Sequence, residues 1–403
     1  MLRPEVRYAR AEDGVTIAYS VVGAGPVTIV VVSPLISQLE LAWEEPALEH
    51  FWSRFAACTQ VVLFDRRGAG LSDPPPAGER AGLAALALDI EAVLDACGAG
   101  QAALFGVTFG CPVAVGFAAS HPDRVQALVL AGGFAKLTRL GEFDFEADPD
   151  QVGEWASRTG RAWGSGEVFG ARAPSMADKA RYREWAARME RHTCSPGSVE
   201  ALCRWAATID VRPLLAGLRL PVLVIHRRGD TAVPASDGRY LAEHIPGAEY
   251  VELPGADHTL FAGDQRAVHA AVIGFLDGAV AGLVSAGRRG DAVELYQTQA
   301  VGLPHEVVAQ LRHAPFRPGL EAIAHTLAYD AAIIGDRSLP AGLLAGVTVP
   351  ALVITGEQSP PFLRNAARAA AQTMPHGRLA VLPGQTHGLN PGATAPVMAE
   401  FLA

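Results

Sequence analysis

The stretch Leu104-Phe105-Gly106-Val107-Thr108-Phe109-Gly110-Cys111 decides how this chain is interpreted. An apolar strand runs into a Gly-x-Thr-x-Gly turn, and a helix-length segment follows to Ser120. A sharp turn of this kind holds its central residue in a strained backbone conformation and exposes the central side chain. Threonine is a poor occupant, because its extra methyl group crowds both the turn and an incoming substrate. Because the turn pattern exposes its central side chain, we still expect Thr108 to occupy the position of a reactive residue.

Buried strands alternate with helices in the first third of the chain. Val27 to Val32, Gln60 to Phe64 and Ala127 to Leu130 are largely apolar or β-branched, as strands covered on both faces would be. Helix-length segments such as Leu83 to Cys97 separate them. This alternation predicts an α/β fold, in which helices wrap a mostly parallel sheet.

The apolar strands stop between about residues 134 and 215, where tryptophans stand among charged residues. This segment is expected to form a helical cap over the carboxyl edge of the sheet. Strand character returns at Val222 to Ile225 and at Tyr250 to Leu253. A helix from Arg266 to Leu276 is then expected to close a first domain of residues 1–278.

The remaining residues, 279–403, contain an internal repeat. Pro221–Asp230 aligns with Pro350–Ser359, and Leu253–His258 aligns with Leu382–His387, with the same spacing between the motifs in both copies. We interpret this segment as a partial second copy of the end of the same fold. It is expected to be helical over residues 283–340 and βαβ-like over residues 346–403, without a second reactive turn.

The composition excludes several classes of protein. Half of the 403 residues are apolar and 19% are charged, so the chain can bury a large core. The net charge of −9 argues against binding to nucleic acid or to an anionic membrane. Five dispersed cysteines fit a reducing compartment and show no metal-ligand spacing.

We therefore expect a cytoplasmic protein, because the sequence shows neither a signal-like start nor an apolar run that could span a bilayer. Its expected partner is a small-molecule substrate, with no cofactor, metal, nucleic acid or membrane. The strand edges of the partial copy must pair with something, either the sheet of the first domain or that of a partner chain, so residues 279–403 are expected to serve a homodimer or to cover the pocket.

Three residues stand in an order that supports nucleophilic catalysis. Such a site needs a hydroxyl, an imidazole that takes its proton, and a carboxylate that orients the imidazolium. Thr108, Asp230 and His258 each follow a strand, in the order nucleophile, acid, base. A lone aspartate after a strand is more often a turn or cap residue, so the prediction rests on the combined order and spacing.

Two backbone N–H groups are candidates for an oxyanion hole. Phe109 follows the nucleophile position at the start of a helix, where the helix dipole assists. The second group should come from Ser33-Pro34-Leu35; Pro34 has no N–H, which leaves Leu35, although Leu35 is equally well explained as an apolar turn residue. Cys111 is interpreted as a buried small hydrophobe and not as a displaced nucleophile.

The motifs carry a family resemblance. Residues 1–278 resemble bacterial α/β-hydrolases of the type also found fused to adenylate-cyclase and regulator modules, in segments such as Leu39–Glu44, Phe64–Ser72 and Gly255–His258. The resemblance implies the α/β-hydrolase fold. Residues from about 283 onward resemble the cap and C-terminal end of a second, compact α/β-hydrolase type, for example at Gly384–His387.

The same resemblance implies that Thr108, Asp230 and His258 are nucleophile, acid and base. Family members show a pattern like Gly-Val-Ser-Glu-Gly-Gly at the turn, where this chain has threonine, Phe109 and Cys111 at the changed positions. Three functions stay open at this point. They are acyl transfer or hydrolysis of a small ester or thioester, acid–base chemistry by the His–Asp pair without an acyl-enzyme, and binding or assembly without catalysis.

Overall fold

The computed structural model describes residues 4–24, 27–57, 59–76, 82–285, 290, 293–294, 297, 305–322, 344–359, 361–386, 388 and 390–402. The chain divides into two compact units, Met1–Ile334 and Gly335–Ala403. The boundary predicted near residue 278 lies within a helix over Gln265–Ser285 and stays a prediction.

A mostly parallel sheet forms the centre of the first unit. The strands described there are β1 (Val6–Arg10), β2 (Thr16–Val22), β3 (Thr28–Val32), β4 (Gln60–Phe64), β5 (Ala102–Val107), β6 (Val125–Ala131), the short β7 (Arg139–Leu140) and β8 (Phe143–Asp144), β9 (Val222–Arg227) and β10 (Glu249–Leu253). The main sheet has the order β1-β2-β4-β3-β5-β6-β9-β10. Its β1–β2 and β2–β4 pairs are antiparallel, and the other pairs are parallel. The predicted α/β fold is confirmed.

Helices surround this sheet. Those described in the first unit are α1 (Leu39–Ala42), α2 (Pro46–Ala56), α3 (Leu83–Ala96), α4 (Gly110–Ser120), α5 (Gln151–Ala162), α6 (Glu167–Gly170), α7 (Ala180–Thr193), α8 (Pro196–Ala206), α9 (Arg212–Leu215), α10 (Ala235–His244), α11 (Gln265–Ser285), α12 (His305–Leu311) and α13 (Arg317–Ala322). Short 3-10 helices lie at Pro122–Arg124 and Pro174–Met176. Within the described part of the chain, no helix combines the length and apolar character needed to cross a membrane.

The two faces of the sheet bury two separate sets of apolar side chains. Along β3, Ile29 and Val31 belong to one cluster and Val30 and Val32 to the other. Side chains of a strand alternate between its faces, so a strand in the middle of a covered sheet must be apolar at every position. This explains why the central strands carry no polar–apolar alternation.

The position of β3 determines where a ligand can enter. β3 lies between β4 and β5. From β3 the chain first adds β4 toward one edge of the sheet, and it then crosses back over β3 to add β5 toward the other edge. In open α/β sheets the crevice beside such a reversal, outside the carboxyl ends of the strands, is the usual ligand site. The loops that follow β3 and β5 border this crevice.

The helices α5 to α8 lie between β6 and β9 in the chain, where the cap was predicted. Side chains of helix α7 donate hydrogen bonds to the segment after β3. Trp185 donates through Nε1 to the carbonyl of Leu41 at 2.8 Å, and Thr193 donates through Oγ1 to the carbonyl of Ser37 at 3.1 Å. Arg188 donates to Glu44 Oε2 at 2.5 Å, and Arg181 donates to the carbonyl oxygen of Glu44 at 3.2 Å. These bonds hold the cap against the loop that follows β3.

The second unit contains its own small sheet. Strands β11 (Ala351–Gly356) and β12 (Gly377–Leu382) are parallel, α14 (Pro361–Thr373) joins them, and α15 (Pro391–Leu402) follows. The same order of strand, helix, strand and helix occurs from β9 to α11. The partial duplication stays a prediction. Ser359 is buried at the position aligned with Asp230, while His387 lies outside the described residues.

Candidate active site

The turn after β5 has the geometry expected for a reactive residue. Thr108 has a φ of +52°, which lies in the left-handed region. Among the described residues, no other residue except glycine has a positive φ. A Cβ placed on Gly106 would lie 2.8 Å from the Cα of Cys111, and one on Gly110 would lie 1.9 Å from the carbonyl oxygen of Val32. Both glycines are therefore required by close backbone approach. They hold a β-branched residue in a conformation that costs about 1–3 kcal/mol.

The two unusual neighbours of Thr108 are accommodated by packing. The ring of Phe109 is buried and meets the ring of Phe134 edge to face, with centroids 5.2 Å apart. Cys111 is fully buried, and its Sγ lies 3.2 Å from the carbonyl oxygen of Gly106. A Cβ on Gly133 would lie only 2.3 Å from that sulfur. Gly133 thus supplies the space that the larger residue at position 111 needs.

The predicted nucleophile, base and acid form one hydrogen-bonded chain. Thr108 Oγ1 lies 2.7 Å from His258 Nε2, and His258 Nδ1 lies 2.6 Å from Asp230 Oδ2. All three residues are buried, with exposed fractions of 3% for Thr108, 5% for His258 and 8% for Asp230. The three positions are 122 and 28 residues apart in sequence, but the carboxyl ends of β5, β9 and β10 bring them together. This arrangement can move a proton from the hydroxyl to the imidazole and stabilise the resulting cation.

Asp230 is held in its ionised form. Its second oxygen, Oδ1, accepts hydrogen bonds from the N–H groups of Ala232 at 2.8 Å and Val233 at 3.0 Å. Burial by itself would raise the pKa of the Asp230 carboxyl, but the charge and hydrogen bond of His258, together with His226, outweigh burial and leave this pKa well below its usual range. A permanently negative Asp230 fixes the orientation of the His258 ring.

A second histidine lies against the same carboxylate. His226, at the end of β9, is fully buried, with Nε2 at 3.5 Å from Asp230 Oδ2 and 2.9 Å from the carbonyl oxygen of Val233. A Cβ on Gly238 would lie 2.5 Å from the Nδ1 of this ring. His226 therefore packs tightly against the carboxylate of Asp230.

The cap holds the loop that carries the base. The carbonyl oxygen of Arg172 accepts hydrogen bonds from the N–H groups of His258 at 2.8 Å and Thr259 at 3.1 Å. On the same loop, Asp257 accepts the N–H of Ser175 at 2.8 Å and pairs with Arg227 at 3.2 Å. The position of His258 thus depends on cap residues as well as on the sheet.

A cavity opens onto the Thr108–His258 pair. The volume open to the centres of water molecules is about 100 Å³, enough for several waters or a small acyl group. Most of its wall is apolar, with side chains from the loop after β3, from α2 and from the segment after His258. The polar or charged residues in the wall are Ser33, Ser37, Gln38, Asp65, Thr108, Arg172, His258 and Thr259. A mostly apolar pocket with a few convergent polar groups is typical of a small-molecule site.

Asp65 is a buried carboxyl in this wall. Its Oδ2 accepts the N–H groups of Leu39 at 3.2 Å and Leu71 at 3.0 Å, whereas Oδ1 has no hydrogen-bond partner among the described residues. Burial raises the pKa of Asp65 to about 6, although the hydrogen bonds from Leu71 and Leu39 and the nearby hydroxyl of Ser37 oppose the rise. Asp65 fixes the loop after β3 by bonding to both Leu39 and Leu71.

The predicted oxyanion residues lie beside the cavity. Phe109 directly precedes α4, and Leu35 lies in the loop after β3, where its carbonyl oxygen accepts a hydrogen bond from Arg66 at 3.1 Å. Both are buried, and neither belongs to the cavity wall, which contains Pro34 and Ile36 on either side of Leu35. Their role as oxyanion donors stays a prediction. The described residues contain no group of three or more His, Cys, Asp or Glu side chains placed to hold a metal ion.

Sequence reasoning missed Arg172, Asp65 and His226 as residues of this site. Asp65 follows β4 directly, at the same edge of the sheet as Thr108, which is a signal that could have found it. His226 stands at the apolar end of β9, where a fully buried histidine needs a polar partner. Arg172 comes from the cap, and no periodicity in the sequence relates that position to the sheet.

Comparison with known proteins identifies the family. The model of the alpha/beta hydrolase fold family matches residues 56–264, about half of the chain, and this protein belongs to that family. A Caulobacter sp. (strain K31) protein named as a carbamate hydrolase is 28% identical over 259 residues, which are 59% of this chain and 86% of the relative. The 3-oxoadipate enol-lactonase 2 of Acinetobacter baylyi is 27% identical over 191 residues, covering 46% of this chain and 67% of the relative.

A solved structure agrees with this assignment. The esterase RhEst1 from Rhodococcus sp. ECU1013 is 28% identical and superposes with a TM-score of 0.53, covering 65% of this chain and 95% of that esterase. These relatives are named for hydrolytic activities, which supports a hydrolase as the class of this protein. The family match ends at residue 264 and does not extend over the predicted partial copy.

Proposed function

We propose that this protein hydrolyses a small carboxylic ester or thioester, or transfers its acyl group, with Thr108 as the nucleophile. The observation that carries the proposal is the chain of short contacts from Thr108 Oγ1 through His258 to Asp230, at the wall of an apolar cavity. The names of the relatives, which include a lactonase and an esterase, support ester chemistry.

In the proposed reaction, His258 Nε2 takes the proton of the Thr108 hydroxyl while Oγ1 attacks the carbonyl carbon of the substrate. His258 then carries a positive charge, and Asp230 stabilises it through Nδ1–H. The charge on the carbonyl oxygen is expected to be met by the N–H groups of Phe109 and Leu35. Return of the proton from Nε2 to the leaving alcohol or thiol releases the first product.

A water molecule completes hydrolysis by the same steps in reverse order. His258 takes a proton from the water, which attacks the acyl group on Thr108, and Thr108 then regains its proton. Replacement of water by another nucleophile would give acyl transfer. The cost specific to this chain is steric, because the γ-methyl of Thr108 shares a tight turn with Gly106 and Gly110.

The alternative keeps the pocket and omits the covalent step. The His258–Asp230 pair is complete, and a secondary hydroxyl is a slower nucleophile than a primary one, so the pair could act as a general base while Thr108 donates a hydrogen bond to a carbonyl. This alternative predicts elimination or cyclisation without an acyl-enzyme.

Ester turnover tests the proposal. Short- and medium-chain p-nitrophenyl esters and thioesters are supplied to the wild type and to Thr108→Ser, Thr108→Ala and His258→Ala. We expect measurable wild-type turnover that falls by several hundredfold in both alanine variants. An inert wild type that becomes active as Thr108→Ser would refute threonine as a working nucleophile and would favour the alternative.

We also propose that residues 279–403 mediate a homodimer. Size-exclusion chromatography with light scattering on the full chain, and on a chain truncated near residue 280, measures it. A dimer that becomes monomeric on truncation supports the proposal, and an unchanged mass contradicts it.

A further inference from the structure

One cation in the cavity wall has no partner. Arg172 lies between α6 and the 3-10 helix at Pro174–Met176, and it lines the cavity that contains Thr108 and His258. Among the described residues, its guanidinium makes neither a hydrogen bond nor an ion pair with a protein group. Burial lowers the pKa of this guanidinium, with nearby negative groups opposing the shift, which reflects the cost of holding a charge away from water. Such a cost requires a compensating anion.

Two buried arginines of the first unit have such anions, whereas the buried Arg66 donates to the backbone carbonyls of Arg67 and Leu35. Arg67 pairs with Asp89 at 2.7 Å and with Asp13 at 2.5 Å, and both carboxylates lie on the same guanidinium. Arg227 pairs with Asp257 at 3.2 Å and also donates to the carbonyl oxygen of Ala262. Arg172 differs from both because the cavity takes the place of the protein carboxylate.

The nearby carboxylates are already engaged elsewhere. Asp230 bonds to His258 and to two N–H groups of its own loop. Glu190 accepts the N–H groups of Gly164 at 2.7 Å, Gly166 at 2.9 Å and Phe169 at 2.8 Å. Neither carboxylate forms an ion pair with Arg172.

The backbone of Arg172 is tied to the loop that carries His258. Its carbonyl oxygen accepts the N–H groups of His258 and Thr259, so the residue is tied directly to the loop that carries the base. A guanidinium placed in this way can hold a carboxylate through two parallel N–H···O bonds. The bound carboxylate would then share the cavity with Thr108.

We propose that Arg172 binds a carboxylate of the substrate, so that the substrate is a carboxylate-bearing ester or thioester such as the half-ester of a short dicarboxylic acid. This inference rests on the proposed function and adds the class of substrate. The apolar wall accommodates the methylene groups between the two carbonyl carbons. A neutral acyl chain of the same length would leave Arg172 without an anion, so the site discriminates against such a chain.

A matched pair of substrates tests the inference on the full chain. The p-nitrophenyl half-ester of glutaric acid is compared with p-nitrophenyl pentanoate, which has the same chain length and no charge. In Arg172→Met, kcat/KM for the half-ester should fall by roughly 10- to 150-fold, mainly through KM, while the pentanoate changes less than about threefold. Arg172→Lys should recover part of the loss, because it keeps the charge without the fork.

The control is Arg161→Met, which removes an exposed cap arginine. We expect it to leave both substrates unaffected. Equal losses on both substrates in Arg172→Met would overturn the inference, because they would show that Arg172 only supports the loop of His258. A wild type that preferred the neutral ester would also overturn the inference.

A binding measurement separates this inference from the proposed function. Calorimetric titration with glutaric acid monoamide needs no turnover. We expect binding to the wild type and to Thr108→Ala, and at least tenfold weaker binding to Arg172→Met. If no ester is hydrolysed but this pattern holds, the proposed function fails and the carboxylate site stands. Absence of binding to the wild type, or equal binding to Arg172→Met, overturns the site.

Discussion

Replacing Gly110 by alanine tests whether close packing at the turn sets the position of Thr108. The new Cβ would lie 1.9 Å from the carbonyl oxygen of Val32, whereas ordinary contact begins at 3.4 Å. The helix start or the end of β3 must therefore move by about 1.5 Å, and neither is a flexible side chain that can turn away. We expect a loss of about 3 kcal/mol or more in the free energy of unfolding, at the upper end of overpacking costs.

Activity should fall together with stability. The hydroxyl of Thr108 lies 2.7 Å from His258 Nε2, so a shift of about 1 Å in the turn breaks this contact and costs about 100-fold in turnover. The control is Gly116→Ala in the same helix, where the nearest atom to the new Cβ is Leu83 Cδ1 at 3.9 Å. Alanine has the higher helix propensity, so this variant should be unchanged or more stable by up to about 1 kcal/mol.

The assay combines thermal unfolding, followed by circular dichroism, with ester turnover per mole of folded protein. We expect a clearly lower midpoint and low turnover for Gly110→Ala, and wild-type behaviour for Gly116→Ala. If the two variants melt within about 1 °C of each other and both keep full turnover, the close approach of the turn to β3 does not control the site.

Three other outcomes follow from the same contacts. Asp230→Asn should lower kcat by roughly 10³- to 10⁴-fold, because an amide cannot stabilise the His258 cation, and a loss below tenfold would contradict the assigned acid. Because the folded pKa of Asp65 is raised from 3.8 to about 6, the contribution of Asp65 to stability should be fully present below about pH 4 and be lost, by up to about 3 kcal/mol, as the pH rises through 6. Denaturant titrations of Asp65→Asn should lack this fall, and identical pH profiles would count against it. Gly133→Ala should lower the unfolding midpoint because its Cβ meets the Cys111 sulfur at 2.3 Å, and Cys111→Gly should restore it; additive losses would refute the contact.

Much of the reacting chain could be predicted from the sequence. Thr108, Asp230 and His258 each follow a strand, and the carboxyl ends of parallel strands meet at one edge of a sheet. Order and spacing along the chain therefore carried information about proximity in space. The strained turn was predictable for a similar reason, because the two glycines mark backbone that has no room for a side chain.

The remaining features depend on geometry that no local pattern encodes. Arg172 reaches the site only because the cap folds back over the sheet and bonds to the loop of His258. The helix predicted over Arg266 to Leu276 continues to Ser285, since the end of a helix depends on tertiary packing as well as on local pattern. Substrate preference follows from such cap contacts, which is why the sequence pointed to ester chemistry but not to a charged substrate.

Detection of an acyl group on Thr108 tests the central claim most directly. The full chain is mixed with p-nitrophenyl acetate, quenched in acid within its first turnovers, and examined by intact mass and by mapping of the peptide that contains Gly106–Cys111. We predict a mass increase of one acyl group on Thr108, which is absent in Thr108→Ala and accumulates more slowly in His258→Ala. Steady turnover with no acyl group on this peptide would contradict a threonine nucleophile.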